Sequence, residues 1–209
     1  MEPTDRDLLT AWGGGDADAG NTLFDRHFAA LYRFFRNKVG DEVDDLVQQS
    51  FLACVEGREG FRADASFRTW LLSVARHKLY DRFRVQRRDA ARFDPDATSA
   101  VDLGVSAPSA LANKAEQKLL LAALRRIPVT SQVTLELYYF EGMRGPAIAE
   151  VLGVPEPAIR SRLRRGLEQL RREIAALGRE PAQIQSTIEG LDDWAESLRA
   201  KLSAGKPNP

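Results

Sequence analysis

One stretch limits what this chain can become: Leu152-Gly153-Val154-Pro155-Glu156-Pro157-Ala158-Ile159-Arg160-Ser161-Arg162-Leu163-Arg164-Arg165. Just ahead of it, Gly145 to Leu152 reads as a short apolar helix. Gly153 supplies a sharp turn. Pro155 and Pro157 suit the first turn of a second helix, where a missing N–H is no loss because those groups have no helical partner. Ile159, Leu163, Leu167, Leu170, Ile174 and Leu177 recur at helical spacing and form one apolar stripe. Ser161, Arg164, Arg165 and Arg172 fall on or near the opposite side. A short helix, a glycine turn and a second helix with a basic outer face is the helix-turn-helix plan, in which the second helix reads the DNA major groove. The competing reading is an ordinary helical hairpin with solvated arginines. The density of Arg on one face favours DNA.

The rest of the chain is nearly all helical in pattern, and 209 residues suffice for two small domains. Lys plus Arg and Asp plus Glu both number 30, so the net charge is zero, which argues against indiscriminate coating of nucleic acid. The charge is nonetheless segregated. Arg76, Lys78, Arg82, Arg84, Arg87, Arg88 and Arg92 face only Asp81 and Asp89 within their stretch. Arg160, Arg162, Arg164, Arg165, Arg171 and Arg172 face only Glu168. Two basic patches in a neutral chain predict two DNA contacts on one molecule. Cys54 is the only cysteine and lies in an apolar helical pattern, which predicts a packing residue rather than a sensor thiol. With no signal peptide and no long apolar run in the sequence, the expectation is a soluble, cytoplasmic protein with no membrane association.

Along the chain, a short helix near Asp7–Trp12 precedes a glycine run. A longer helix capped at Asn21 or Thr22 is expected next, ending at Gly40. Asp41 to Val55 forms another, with Leu46, Val47, Phe51, Cys54 and Val55 inside and Asp44, Asp45, Gln48 and Gln49 outside. That acidic, amide-rich face suits either solvent or a basic helix on a partner. A helix over 66–88 begins strongly apolar and turns basic. Residues 93–112 are small and polar with two prolines, the pattern of a flexible linker. Helices over 115–127 and from Thr130 to about Phe140 follow, then the helix-turn-helix. The final stripe of Ile184, Ile188, Leu191, Trp194, Leu198 and Leu202 predicts an amphipathic helix that docks on the protein's own body, with Gly190 as a kink.

Together these residues resemble the extracytoplasmic-function sigma factors of the sigma-70 family, the small kind with only regions two and four. Asp44-Asp45-Leu46-Val47-Gln48-Gln49-Ser50-Phe51 is similar to the family's D-L-V-Q-x-x-F helix, and Phe67-Arg68-Thr69-Trp70-Leu71-Leu72-Ser73-Val74-Ala75-Arg76 to its F-x-x-W-L-x-x-I-A-R run. In region four, Leu124 to Pro128, Leu137 to Gly142, Ile148 to Val154 and Ile159 to Leu163 follow in the family's order. The resemblance implies an all-α protein of two small helical domains, a region-two bundle at 1–92 and a region-four helix-turn-helix at 113–178. A flexible linker at 93–112 joins them, and an amphipathic extension covers 179–209.

The same resemblance implies an RNA polymerase subunit that directs the core enzyme to promoters, with no catalysis, cofactor or metal of its own. Asp44, Asp45, Gln48 and Gln49 would dock on the beta-prime clamp helices, and region four on the beta flap. Arg58, Arg62, Arg68, Arg76, His77, Lys78 and Arg82 are the candidates for capturing the minus-ten element as single strand. Pro157, Ala158, Arg160, Ser161, Arg164 and Arg165 are those for reading the minus-thirty-five element as duplex. Stacking in DNA is worth about 1.4 kcal/mol per step and extruding a base costs roughly a few kcal/mol. The loop at 57–66 is therefore expected to trap one or two extruded bases while polymerase binding supplies the rest. Trp70, in an all-apolar turn, is expected to be core. An anti-sigma factor or other regulatory protein is a further partner class.

Three departures bear on promoter sequence: His77 where the family often has Asn, Arg144-Gly145-Pro146 before Ala147-Ile148, and Pro155 with Pro157-Ala158 at the start of the second helix. Two rivals remain. A free-standing helix-turn-helix regulator shares the C-terminal half, and a helical adaptor would simply solvate its arginines. The sequence has no glycine-rich phosphate loop, no metal-ligand cluster and no nucleophilic triad, so an enzyme is not expected.

Overall fold

The computed structural model describes residues 2–58, 61, 66–86, 93–104, 115–178 and 180–190. Among them are nine helices: α1 (Asp5–Gly13), α2 (Ala17–Arg36), α3 (Val43–Gly57), α4 (Phe67–Gln86), α5 (Ala115–Leu124), α6 (Val129–Tyr139), α7 (Gly145–Leu152), α8 (Glu156–Leu177) and α9 (Pro181–Glu189). Extended pairing among the described residues is a single bridge between Ser99 and Pro128. The all-α expectation holds.

Several helix starts differ from the sequence expectation, each for a local reason. Asp16 rather than Asn21 or Thr22 caps α2, because its carboxylate accepts from the N–H groups of Asp18 and Ala19. Gly20 thus falls inside the helix, pressed against the Trp12 ring of α1. Thr130 lies within α6 instead of capping it, because Pro128 takes the cap position. Gly190 ends α9 instead of kinking it, and residues 191–209, with Leu191, Trp194, Leu198 and Leu202, lie outside the described residues.

Two apolar cores meet at α6. The first joins α1–α4 to α6 and α7, through Leu23, Leu31, Phe35, Phe67, Leu71, Leu79 and Phe83 on one side and Val129, Val133, Leu137, Ile148 and Val151 on the other. The second gathers α5 and α8 around Leu135 and Phe140, with Ile184 and Ile188 of α9 packed against it. The C-terminal stripe therefore docks on the protein's own body, on α5 and α8, as far as it is described. Residues 132–137 are all buried. A helix buried all round has no solvent face to show as a periodic pattern.

Both helical halves expected from the sequence are present, and they pack against one another rather than standing apart. Polar contacts accompany the shared core. Lys38 at the end of α2 is fully buried and pairs with Glu136 of α6. Its ammonium also donates to the Phe34 carbonyl. Glu136 further accepts from Asn37 Nδ2 at 3.3 Å and Gln132 Nε2 at 2.9 Å. Arg33 Nε donates to Glu141 Oε1 at 2.7 Å, and Arg68 reaches the same carboxylate from α4.

The linker is the main departure. Residues 93–104, expected to be flexible, form a bonded strap. The Thr98 carbonyl accepts from Val129 N–H at 2.9 Å and the Pro95 carbonyl from Thr130 N–H at 3.0 Å. These are first-turn N–H groups of α6 that no side chain caps. Phe93 sets its ring 5.8 Å from those of both Tyr80 and Phe83. A small, polar composition conceals this because the bonds use backbone carbonyls, which every residue has. Residues 105–112, the rest of the expected linker, lie outside the described residues.

Two stability predictions follow from the α1–α2 packing. A methyl added at Gly20 would lie 2.7 Å from the Trp12 ring, so Gly20→Ala is expected to cost about 1–3 kcal/mol by overpacking. A lower denaturant midpoint followed by tryptophan fluorescence measures it. His27 is buried with Nε2 2.7 Å from the Asp5 carboxylate. Burial lowers its pKa, and the hydrogen bond to Asp5 offsets only part of that. A histidine with a depressed folded pKa favours folding above its unfolded value, about 6.5, and loses that contribution as pH falls through the folded value. Thermal melts of the wild type are expected to weaken from pH 7 to 5, and His27→Gln to show a shallower fall.

Candidate nucleic-acid interface

The helix-turn-helix is built as its residues dictate. Gly153 adopts φ 65°, ψ 38°, and its N–H bonds back to the Ala149 and Glu150 carbonyls. Val154 N–H reaches the Ala149 carbonyl at 3.0 Å, closing the end of α7. Pro155 takes the cap of α8 in extended conformation, and Pro157 sits in its first turn. Ile159, Leu170 and Ile174 are buried. Pro157, Arg160, Ser161, Arg164 and Arg165 are exposed and Ala158 is half-buried. The predicted duplex-reading residues therefore share one accessible edge of a rigid helix. Arg162 is the exception on this helix, half-buried and 3.6 Å from Asp96 of the strap.

The described candidates of the N-terminal half are not gathered on one face. Helical rotation puts Arg68 and His77 roughly 180° apart around α4, so a run that is basic in sequence is distributed around the axis. Arg68 pairs with Glu141, and its Nη2 also donates to that residue's carbonyl at 2.9 Å. Arg76 Nη1 donates to the Leu152 carbonyl at 2.8 Å. Arg82 makes a two-pronged pair with Glu42, Nε to Oε2 at 2.7 Å. His77 is exposed and Lys78 half-buried. Arg58 is exposed at the end of α3, and Arg62 lies outside the described residues.

His77 Nε2 lies 2.7 Å from an Arg76 guanidinium nitrogen. Partial burial lowers its pKa, and Arg76 lowers it further against opposing effects of Asp81 and the Ser73 backbone. Neutral imidazole can exchange hydrogen bonds with a base edge but supplies no countercharge to phosphate.

Beside the loop lies an open cavity of about 610 Å³, bounded by Arg58, Phe61, Phe67 and Trp70 and, across from them, Thr10 and Trp12 of α1. Trp70 is half-buried, with its ring 4.9 Å from Phe61 and 5.8 Å from Phe67. It is thus both core and cavity wall, where the apolar turn alone suggested core. The α1 wall escaped the sequence reading, since only the fold brings residues 10–12 to the loop.

On α3 the four predicted partner-facing residues, Asp44, Asp45, Gln48 and Gln49, are all exposed, while Val43, Leu46, Val47, Ser50 and Cys54 are buried. Leu52 extends the outer face with 55% of its surface accessible. Its position four after Gln48 and three after Gln49 was the available signal. Burial pushes the Cys54 thiol up to about 12, in keeping with a packing residue. Among the described residues, no three or more His, Cys, Asp or Glu side chains are grouped to hold a metal ion, and no helix is long and apolar enough to cross a membrane.

Comparison with known proteins accounts for both halves. Residues 23–89 match the sigma-70 region 2 family model and residues 117–170 the sigma-70 region 4 model. The chain is 31% identical over 163 residues to the RNA polymerase sigma factor NccH of Alcaligenes xylosoxydans, covering 75% of this chain and 87% of that protein. It is 30% identical over 175 residues to the ECF sigma factor SigL of Mycobacterium tuberculosis, with 79% and 96% covered. A solved structure of CnrH in complex with the cytosolic domain of CnrY is similar at a TM-score of 0.62 and 27% identity, covering 83% of this chain and 99% of that one. A free-standing regulator would account for the C-terminal half alone. The chain belongs to the extracytoplasmic-function RNA polymerase sigma factors of the sigma-70 family.

Proposed function

We propose that this sigma factor divides a promoter between its two halves, with residues 1–92 and 113–178 as the working units. The accessible edge of α8, where Arg160, Ser161, Arg164 and Arg165 stand clear of a buried apolar stripe, is the observation that carries this reading. That edge enters the major groove of the minus-thirty-five element, with Pro157 and Ala158 at the groove wall. The aromatic-lined cavity next to Arg58, with α4 residues Arg68, Arg76, His77, Lys78 and Arg82 and with Arg62, takes the minus-ten element once its strands separate. Asp44, Asp45, Gln48 and Gln49, extended by Leu52, dock on the beta-prime clamp helices, and region four meets the beta flap. The protein acts in the cytoplasm, as a binding subunit. The solved relative CnrH is bound to the cytosolic domain of CnrY, and the structural neighbour RpoE of Bartonella quintana to the anti-sigma factor NepR. These support a regulatory protein as a further partner here.

Two measurements test the assignment. A bidentate Arg–guanine pair is worth about 1–3 kcal/mol of discrimination, so Arg160→Ala or Arg164→Ala is expected to lower cognate transcription roughly five- to hundredfold with an unchanged melting temperature. Wild-type output from both variants would overturn the assignment on α8. Asp44→Lys with Asp45→Lys is expected to abolish co-elution with core polymerase while leaving the fold intact, because both positions are exposed. Stoichiometric co-elution of that variant would move the docking face elsewhere.

A further inference from the structure

We propose that Glu156, the first residue of α8, reads a base of the minus-thirty-five element and selects a cytosine close to the guanine met by Arg160. The inference rests on the reading of α8 given above and adds a residue of opposite charge to it. Glu156 is the only acid between Gly153 and Arg165, in a run that otherwise carries Arg160, Arg162, Arg164 and Arg165. It is exposed, as is Arg160 four residues on. That spacing sets the two side chains about 40° apart around the helix axis and roughly 6 Å apart along it. Both line one open cleft of about 450 Å³, whose other walls are Gly145, Pro157, Ile159 and Leu163.

A glutamate four residues ahead of an arginine is in the favourable order for an ion pair within a helix. None forms here: among the described residues, neither side chain has an ion-pair or hydrogen-bond partner. Gly145 leaves the far wall of the cleft bare. A Cβ at that position would stand 3.6 Å from Glu156 Oε1, so a longer side chain at the start of α7 would crowd the carboxylate or bond to it. Glu156 is thus left with its acceptors unused at the end of a helix where recognition helices carry the residues that touch base edges. A carboxylate in the first turn also suits the helix dipole, and α8 has no side-chain cap. A role at the dipole, however, asks only for charge and has no bearing on which base pair is chosen.

The chemistry of a carboxylate narrows that choice. An ionised Glu only accepts hydrogen bonds, so it needs a donor on the groove floor. Cytosine presents its N4 amino group there, whereas thymine presents O4 and guanine presents O6 and N7, all acceptors. Adenine sets an N7 acceptor beside its N6 amino group, a pattern that suits an amide better than a carboxylate. Opposite an acceptor, the carboxylate would give up water for no bond and repel the base edge. Exclusion of the wrong bases therefore contributes to selectivity alongside the bond itself. Arg160 has the complementary requirement, since its guanidinium fork matches guanine O6 and N7. With roughly 6 Å between the two residues along the helix and about 3.4 Å per base pair, the cytosine falls within about two base pairs of that guanine.

The test offers the full-length protein, bound to core polymerase, a pool of promoter duplexes randomised across the minus-thirty-five element, and sequences the DNA that is retained. Wild type is expected to select a guanine that Arg160→Ala no longer selects, and a cytosine within about two base pairs of it. Glutamine pairs its amide with adenine N6 and N7. Glu156→Gln is therefore expected to shift that cytosine toward adenine, by about fivefold or more in the ratio of the two bases, with the other positions unchanged. Glu156→Ala should lose the cytosine preference and gain no other. No cytosine in the wild-type selection, or the same cytosine preference in both Glu156 variants, would overturn the proposal and leave the acid a role at the helix start alone. Should Arg160→Ala keep every guanine preference of the wild type, the reading of α8 on which the proposal rests fails instead.

Discussion

The arrangement depends on a single buried helix that belongs to both halves. α6 presents Val129, Val133 and Leu137 to the N-terminal bundle and Leu135 to the C-terminal one. Apolar burial of this kind is strong but non-directional. What fixes the register is the Lys38–Glu136 pair, sealed from water with Asn37 and Gln132 around it. Losing one partner of a buried pair leaves the other charge stranded at about 3–5 kcal/mol, whereas the intact pair adds little net stability. Its role is therefore to select one docking geometry from the many that greasy surfaces allow.

That geometry treats the two proposed DNA-facing elements, α4 and α8, differently. α8 is anchored by Ile159, Leu170 and Ile174 and still shows Arg160, Arg164 and Arg165 to solvent, so the proposed reading edge is accessible as it stands. α4 lies against α7 along the seam, and part of its positive charge is neutralised by Glu141 and Glu42. The same guanidinium groups that suit phosphate also suit carboxylate. Basic residues proposed for DNA can thus pair with the protein's own acids, as Arg68 and Arg82 do with Glu141 and Glu42.

The strap ties the two halves together through a segment of unremarkable composition. Its carbonyls complete the first turn of α6, which Pro128 and Val129 leave uncapped. Phe93 against Tyr80 and Phe83, and Leu103 buried in the main core, are its large apolar anchors. Aromatic contacts, the buried Leu103, a bond from Gln86 to the Leu103 carbonyl and backbone bonds to α6 together hold the connector in place.

The sequence by itself determined whatever is written locally and periodically. The turn at Gly153, the apolar stripe of α8 with Arg160, Arg164 and Arg165 outside it, and the exposed Asp44–Gln49 face all follow from 3.6-residue spacing and turn chemistry. These features survive because each depends on neighbours a few residues away. Only the tertiary structure decided that Arg33 and Lys38 meet Glu141 and Glu136, partners 108 and 98 residues distant. It alone brought α1 to the wall of the loop cavity, turned half the linker into a strap, and set Arg68 and Arg76 of α4 against Glu141 and the Leu152 carbonyl. A charge in a sequence carries no sign of whether water, DNA or a far-off carboxylate will meet it; that depends on which surfaces the collapsed chain brings together.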